Sequence, residues 1–483
     1  MTVTPYRTNL FQDRQELYQL LSSGKQQAIA KNCPQIISIS QEISPLNPLA
    51  VLEAIAQPNQ LQFYGGKPSQ HQAITAVDAA ISIEISEKNR FKLAQNFIHT
   101  TLNNTLIKGH LNLPFSGPHF FCSFTFFADE RTLDSPFPSA TIFLPRWQVS
   151  CYKNQCVLVA NVEITSQINL QLLLKRLSND FKLINGSGQT LSNLTPTKPE
   201  KFIEKNYQNA DRFKSSVLSA LKLIQANQFS KIVLANTIDV ISSQPFNLVN
   251  SLDNLRQRHP DCYIFSTSNG KGKNFIGASP ERLITIRNHQ LVTDALAGSA
   301  PRGKTAMEDA NFANQLLSSE KERREHQFVL NFIAQRLSQF GLFPQLPPTP
   351  QLLKLSNIQH LWTPIQAELL NNVHPLEIVA ELHPTPAVAG VPTQIAQEQI
   401  RRYEPFDRSL YAAPLGWVDY QGNCEFIVGI RSALIETANP AKNHTQTYCA
   451  RLYAGAGIVA GSDPNKELAE IQLKLQALLK ALL

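Results

Sequence analysis

The chain has 483 residues, 43% of them hydrophobic and 17% charged, with a formal net charge of +7. This composition supports a large buried core and excludes a disordered or fibrous chain. Lysines and arginines are scattered rather than blocked, and no apolar run approaches a membrane span, so neither nucleic acid nor a membrane is expected as a partner. The seven cysteines form no C-x-x-C motif and predict reduced, mostly buried thiols. The opening "MTVTPYRTNLFQDRQELYQLL" lacks the apolar core of a signal peptide, so a cytoplasmic location is expected.

The first ~200 residues are rich in Gln, Asn, Ser and short strand-like runs. Within them "HFFCSFTFFADE" and "ATIFLPRWQVSCYKNQCVLVANVEI" read as antiparallel strands with turns. "LSNLTPTKPEKF", Leu191 to Phe202, reads as a connector. An amphipathic helix, "QNADRFKSSVLSALKLIQANQ", then precedes the strand "KIVLANTIDVI". A long helix carries "SSEKERREHQFVL", and Pro344 to Gln351 forms a second connector. The last third returns to strands, "NCEFIVGIRSALIE" and "TYCARLYAGAGIVAG", and closes with the helix "DPNKELAEIQLKLQALLKALL". Helices and strands do not alternate regularly, so the pattern predicts an α+β fold with mixed or antiparallel sheets, not a doubly wound parallel one.

Several polar residues sit where apolar ones belong. Continuing the helical period from Glu325 meets Phe328, Val329 and Phe332, so this carboxylate is expected on the buried stripe. There it must be paired, protonated or bound to a metal. In the final helix Asp463-Pro464 is a start signal, and Leu468, Ile471, Leu475, Leu478 and Leu482 form the predicted stripe. Glu467 and Glu470 flank that stripe. They fit either dipole complementarity or, with Glu325, a shared hard cation such as Mg²⁺. Gly455 and Gly457 permit either tight strand packing or close approach of backbone to an anion. Arg431, read as lying on a strand face with Ile427, Gly429, Ala433 and Ile435, suits carboxylate recognition or a structural ion pair. Lys231 is either a snorkelling strand end or, if desolvated, a base. Glu281 stands at a turn entering a strand.

In this order the blocks "KIVLAN", "IGASPERL", "TDALAGSAPRG", "SSEKERREH", "IQHLWTPI", "ELHPTPAVAG", "EPFDRSLYAAPLGWVD", "EFIVGIRSALI" and "YAGAGIVAGSDPNKELAEIQLK" resemble the chorismate-utilising enzymes. The resemblance covers Asn206 to Gln476. It divides the chain into a variable N-terminal part (1–205), a chorismate-binding catalytic region (206–476) and a helix end (477–483). It implies one large fold of paired, mainly antiparallel sheets wrapped in helices. Within the family, His383 to Ala387 in "LHPTPAVAG" are similar to the water-using, isochorismate-forming branch. Asn236 departs from an arginine common at that position.

The resemblance implies conversion of chorismate to isochorismate, with Lys231 as the base that activates water at C2 and Glu281 as the acid at the departing C4 hydroxyl. Glu325 and Glu470 would bind Mg²⁺, with Glu322 and Glu467 assisting through water. Arg431, Arg451, Gly455, Ala456 and Gly457 would hold the substrate carboxylates, and His383, Ala387 and Ser299 also fall at the substrate. The alternative product is salicylate, formed when pyruvate leaves isochorismate. No glutaminase motif is visible, so no glutaminase subunit is expected, and the chain is expected to be a monomer.

Overall fold

The computed structural model describes residues 9–129, 135–188, 202–207, 210–356, 358–370, 373–436 and 447–482. Most of the connector expected at Leu191 to Phe202 lies outside them. Two helix-covered sheets share two long strands, Gln72–Ile85 and Ala140–Tyr152. These strands pair along their whole length and change sheet midway, at a register shift beside Asp78 and Pro145, where Asp78 adopts a left-handed φ of 60°. Arg146 holds that corner through a 2.8 Å ion pair to Asp78. Antiparallel pairing dominates, as the sequence predicts. Among the described strands the one parallel pairing joins Gln35–Ile43 to Thr105–Gly109.

The N-terminal strands are hydrogen-bonded to strands beyond residue 205 rather than set apart from them. Gln62–Lys67 pairs with Tyr263–Ser268, and His119–Phe124 pairs with Pro414–Asp419. The chain then crosses between the sheets twice more, side by side. Lys273–Ser279 belongs to one sheet and Arg282–Arg287 to the other, joined by Pro280-Glu281. Cys424–Val428 and Ser432–Glu436 are joined likewise by Gly429-Ile430-Arg431. The corners bond to each other: Val428 N donates to Glu281 O, and Ala278 N donates to Arg431 O, both at 3.1 Å.

A helix lies on each side of this seam. Glu320–Gln339 packs on Gln290–Pro301 and Ile358–Glu368, whereas Pro464–Leu482 packs on Tyr448–Val459. The final helix starts as its sequence predicts, with Asp463 Oδ1 accepting from the amides of Asn465 and Lys466. Leu468, Ile471, Leu475, Leu478 and Leu482 are all buried. In the other helix the stripe is His326, Val329, Ile333 and Leu337. Glu325 therefore sits on its margin, not within it. Among the described residues no helix is long and apolar enough to cross a membrane.

One cysteine expectation needs correction. Strands Ala140–Tyr152 and Gln155–Ile164 form a hairpin with the two-residue turn Lys153-Asn154, closed by the Tyr152–Gln155 pair. The next pair inward is Cys151 opposite Cys156, with Cα atoms 4.2 Å apart, and the two form a disulfide. Directly opposed strand positions bring side chains together without further ordering of the backbone. The other five cysteines are free. Alkylation of the unfolded, unreduced protein followed by mass spectrometry should therefore label five of the seven cysteines, and all seven after reduction. Seven labelled before reduction would remove the cross-link.

Candidate active site

Lys231 opens the strand Lys231–Ser242, which pairs along its length with Tyr448–Val459. Its side chain is completely buried, and its Nζ lies 2.8 Å from Glu325 Oε1. Gly457 makes this meeting possible. A β-carbon there would stand 2.7 Å from Glu325 Oε1 and 3.4 Å from Lys231 Cε. Small residues in "YAGAG" thus let a helix-borne carboxylate reach a lysine across the neighbouring strand.

Three more carboxylates gather beside Glu325. Glu322 Oε2 accepts from the Ser299 amide at 3.1 Å. On the opposite helix Glu470 Oε1 lies 2.7 Å from Lys474 Nζ, and Lys321 reaches Glu467 at 3.6 Å. Burial raises the Glu322 and Glu467 carboxyls above the usual range, and repulsion from Glu325 and Glu470 adds to both. Burial also opposes the Glu470 charge, but Lys474 outweighs it and the carboxyl is lowered. As the side chains lie, no three described His, Cys, Asp or Glu residues form a ready metal cage. The donor set still suits a hard cation. Oxygen ligands from two helices face each other and repel, and Mg²⁺ needs only one or two carboxylates when water and substrate oxygens complete its shell.

Glu281 and Arg431 occupy the two sheet-crossing corners and line the same cavity as Glu325 and Glu470. Burial pushes the Glu281 carboxyl up to about 8. Asp294 adds to the rise and Lys231 opposes it. Arg431 is not on a continuous strand face, as the alternation of apolar residues suggested. It sits at a bend with a left-handed φ of 50°, which turns the guanidinium into the cavity. Arg431 Nη2 donates to His360 Nε2 at 3.0 Å, and His360 Nδ1 lies 3.3 Å from Gly298 O. Burial and the Arg431 charge hold His360 well below its usual value, so it is neutral and accepts at Nε2.

Ser299, Ala387, Gly455 and Gly457 also line this cavity. Three residues placed at the substrate by resemblance lie elsewhere. Arg451 is held bidentately by Asp239 at 2.7 and 2.8 Å on the neighbouring strand. His383 Nε2 bonds to the Phe126 carbonyl at 3.1 Å. Ala456 is buried in the strand between the two lining glycines and does not line the cavity. Conversely, Lys474, His360 and Tyr411 line the cavity although the sequence reading gave them no role. Lys474 also donates to Gly455 O at 2.9 Å. Its only sequence signal was its place one turn beyond Glu470, which is ordinary for an exposed helix pair.

Residues 23–483 match a family profile described as chorismate binding enzyme. The chain belongs to the chorismate-binding enzyme family. Over 278 residues it is 39% identical to the salicylate biosynthesis isochorismate synthase of Pseudomonas aeruginosa, covering 57% of this chain and 55% of that protein. Over 272 residues it is 36% identical to the isochorismate synthase MenF of Bacillus subtilis, covering 56% and 55%. The aligned part thus spans 55% of each of these curated relatives. The likeness in fold extends further. The menaquinone-specific isochorismate synthase of Escherichia coli superposes with a TM-score of 0.74 at 25% identity, over 96% of this chain and 100% of that one. Anthranilate synthase component I of Streptococcus pneumoniae shares the fold alone, at 19% identity and a TM-score of 0.68 over 84% of this chain and 92% of that one.

A buried carboxyl raised to about 8 keeps its proton in the folded state after the unfolded chain has lost its own. Stability contributed by this group therefore falls as pH rises from the ordinary glutamate value to about 8. Glu281→Gln has no proton to lose. Its thermal midpoint relative to the unsubstituted chain should climb between about pH 5 and about pH 8. A difference that stays flat over this range would show that the carboxyl is not held protonated.

Proposed function

We propose that this chain isomerises chorismate to isochorismate in a Mg²⁺-dependent reaction. The observation that carries the reading is a single cavity shared by Glu281, Arg431 and Lys474, with the fully buried Lys231 held at its wall by Glu325. Arg431 and Lys474 supply cationic donors for a substrate bearing two carboxylates. Glu281, protonated at neutral pH, donates to the C4 hydroxyl, which departs as water. Lys231 takes a proton from the water that attacks C2, and the ring double bonds shift between the two centres. One proton enters and one leaves, so the ring changes only in the position of its hydroxyl and double bonds. An acid kept neutral by burial, next to a separately held amine, is how one site runs both halves of such chemistry near pH 7.

Glu325 and Glu470 would hold Mg²⁺, and Glu322 and Glu467 would assist through water. The ion supplies a positive anchor for the ring carboxylate. Arg451, engaged by Asp239, is left out of the substrate contacts in this reading.

Purified protein with chorismate and Mg²⁺ should give a chorismate–isochorismate mixture that reaches the same ratio from either side, without dependence on ammonia. In calorimetric titrations Glu325→Gln and Glu470→Gln should each weaken Mg²⁺ binding by about tenfold or more. Dominant salicylate with stoichiometric pyruvate, or anthranilate on adding ammonium, would assign another reaction. Unaltered Mg²⁺ affinity in both variants would remove the carboxylates as ligands.

A further inference from the structure

The block "EPFDRSLY" contains the most deeply buried charge pair among the described residues, and nothing above uses it. The Arg408 side chain is 0% exposed and that of Glu404 3%. Arg408 Nε donates to Glu404 Oε2 at 2.8 Å and Nη2 to Glu404 Oε1 at 2.6 Å. The same guanidinium donates to two backbone carbonyls, Val388 O at 2.8 Å and Val233 O at 2.9 Å. Glu404 Oε1 in turn accepts from the Ala235 amide at 2.7 Å. The cation lies 4.4 Å above the Phe126 ring and 5.6 Å from that of Tyr411.

Arg408 does not line the cavity, but Val233, Val388 and Tyr411 all do. Val233 sits two residues after Lys231. Val388 belongs to the turn that follows His383. Tyr411 stacks on Tyr453 with ring centres 5.2 Å apart. Phe126 comes from the N-terminal part, and its amide donates to Ser409 O at 2.7 Å. One planar fork therefore joins the lysine strand, the 385–389 turn and the Tyr411 loop, with an N-terminal ring laid across it.

We infer that Arg408, buttressed by Glu404, is a positioning residue that sets how the Lys231 strand, the adjoining 385–389 turn and the Tyr411 loop meet at the substrate cavity. Stability alone is a poor reason for such a pair, since buried ion pairs are often matched or bettered by apolar residues of similar volume. What an apolar replacement cannot do is bond two carbonyls on separate segments in a fixed fork geometry. A lysine keeps the charge, but its single nitrogen cannot span both carbonyls and the carboxylate.

The inference rests on the chorismate-to-isochorismate reading, and the two fail differently. Arg408→Lys should fold and leave the KM for chorismate within about threefold, because Arg431 and Lys474 are untouched, while kcat falls by about 10²-fold. Hydrogen exchange should quicken in peptides covering residues 231–235 and 385–391, with the final helix unchanged. If Arg408→Lys does not fold, the double variant Glu404→Gln/Arg408→Met removes both charges together and should show the same split. A folded variant with kcat within about twofold of the unsubstituted chain, or with unaltered exchange in those peptides, overturns the inference. No isochorismate from the unsubstituted chain would overturn the functional reading, and the exchange measurement would still decide the positioning role.

Discussion

The ion pair between Lys231 and Glu325, 2.8 Å long and closed over Gly457, is the contact on which the site depends. Lys231 belongs to a strand of one sheet, and Glu325 to a helix packed on the other. The pair can form only if the seam between the sheets closes to this distance. A fully buried lysine nitrogen without a partner is strongly unfavourable, so the closed seam and the buried lysine support each other. A β-carbon at residue 457 would stand 2.7 Å from Glu325 Oε1 and oblige that carboxylate to shift.

Around that contact the charges are sorted. Four glutamates from two helix starts gather with Lys231, Lys321 and Lys474, and of these Glu325, Glu470 and Lys474 line the cavity. Glu281 lies apart from them, at a sheet-crossing corner, where burial keeps its proton in place. Carboxylates of one residue type are thus divided by position alone, into the cluster that would hold a cation in the proposed reading and a single buried acid set apart from it. The two corners that carry Glu281 and Arg431 are adjacent because both chain segments change sheet at the same level and bond to each other there.

Much of this was legible in the sequence. The final helix, its start at Asp463 and its apolar stripe follow from local signals, and Glu470 stood out as an acid bordering that stripe; Glu325 stood out too, although on the stripe and not, as it lies, on its margin. Arg431 was legible as a residue but not in its setting, because apolar alternation continues through "IVGIRSAL" and cannot reveal a left-handed bend where the chain changes sheet. The disulfide required the register of the 151–156 hairpin, which spacing alone leaves open. Lys474 looks like an exposed helix partner until the fold turns it towards Gly455. His383 and Phe126, 257 residues apart, meet only in the folded chain. Their contact shows how the N-terminal part, whose sequence shows strands but no site residue, reaches the surroundings of the cavity.

The central claim is that the cavity exchanges a hydroxyl with water, one proton handled at Lys231 and one at Glu281. Turnover of chorismate in H₂¹⁸O tests it directly, with the position of the label read by mass spectrometry and NMR. Isochorismate carrying one solvent oxygen at C2 from its first appearance is the expected result, with label entering the C4 hydroxyl of chorismate as the reaction reverses. Isochorismate that retains the original C4 oxygen would contradict the claim, because the hydroxyl would then have moved within the substrate without passing through water.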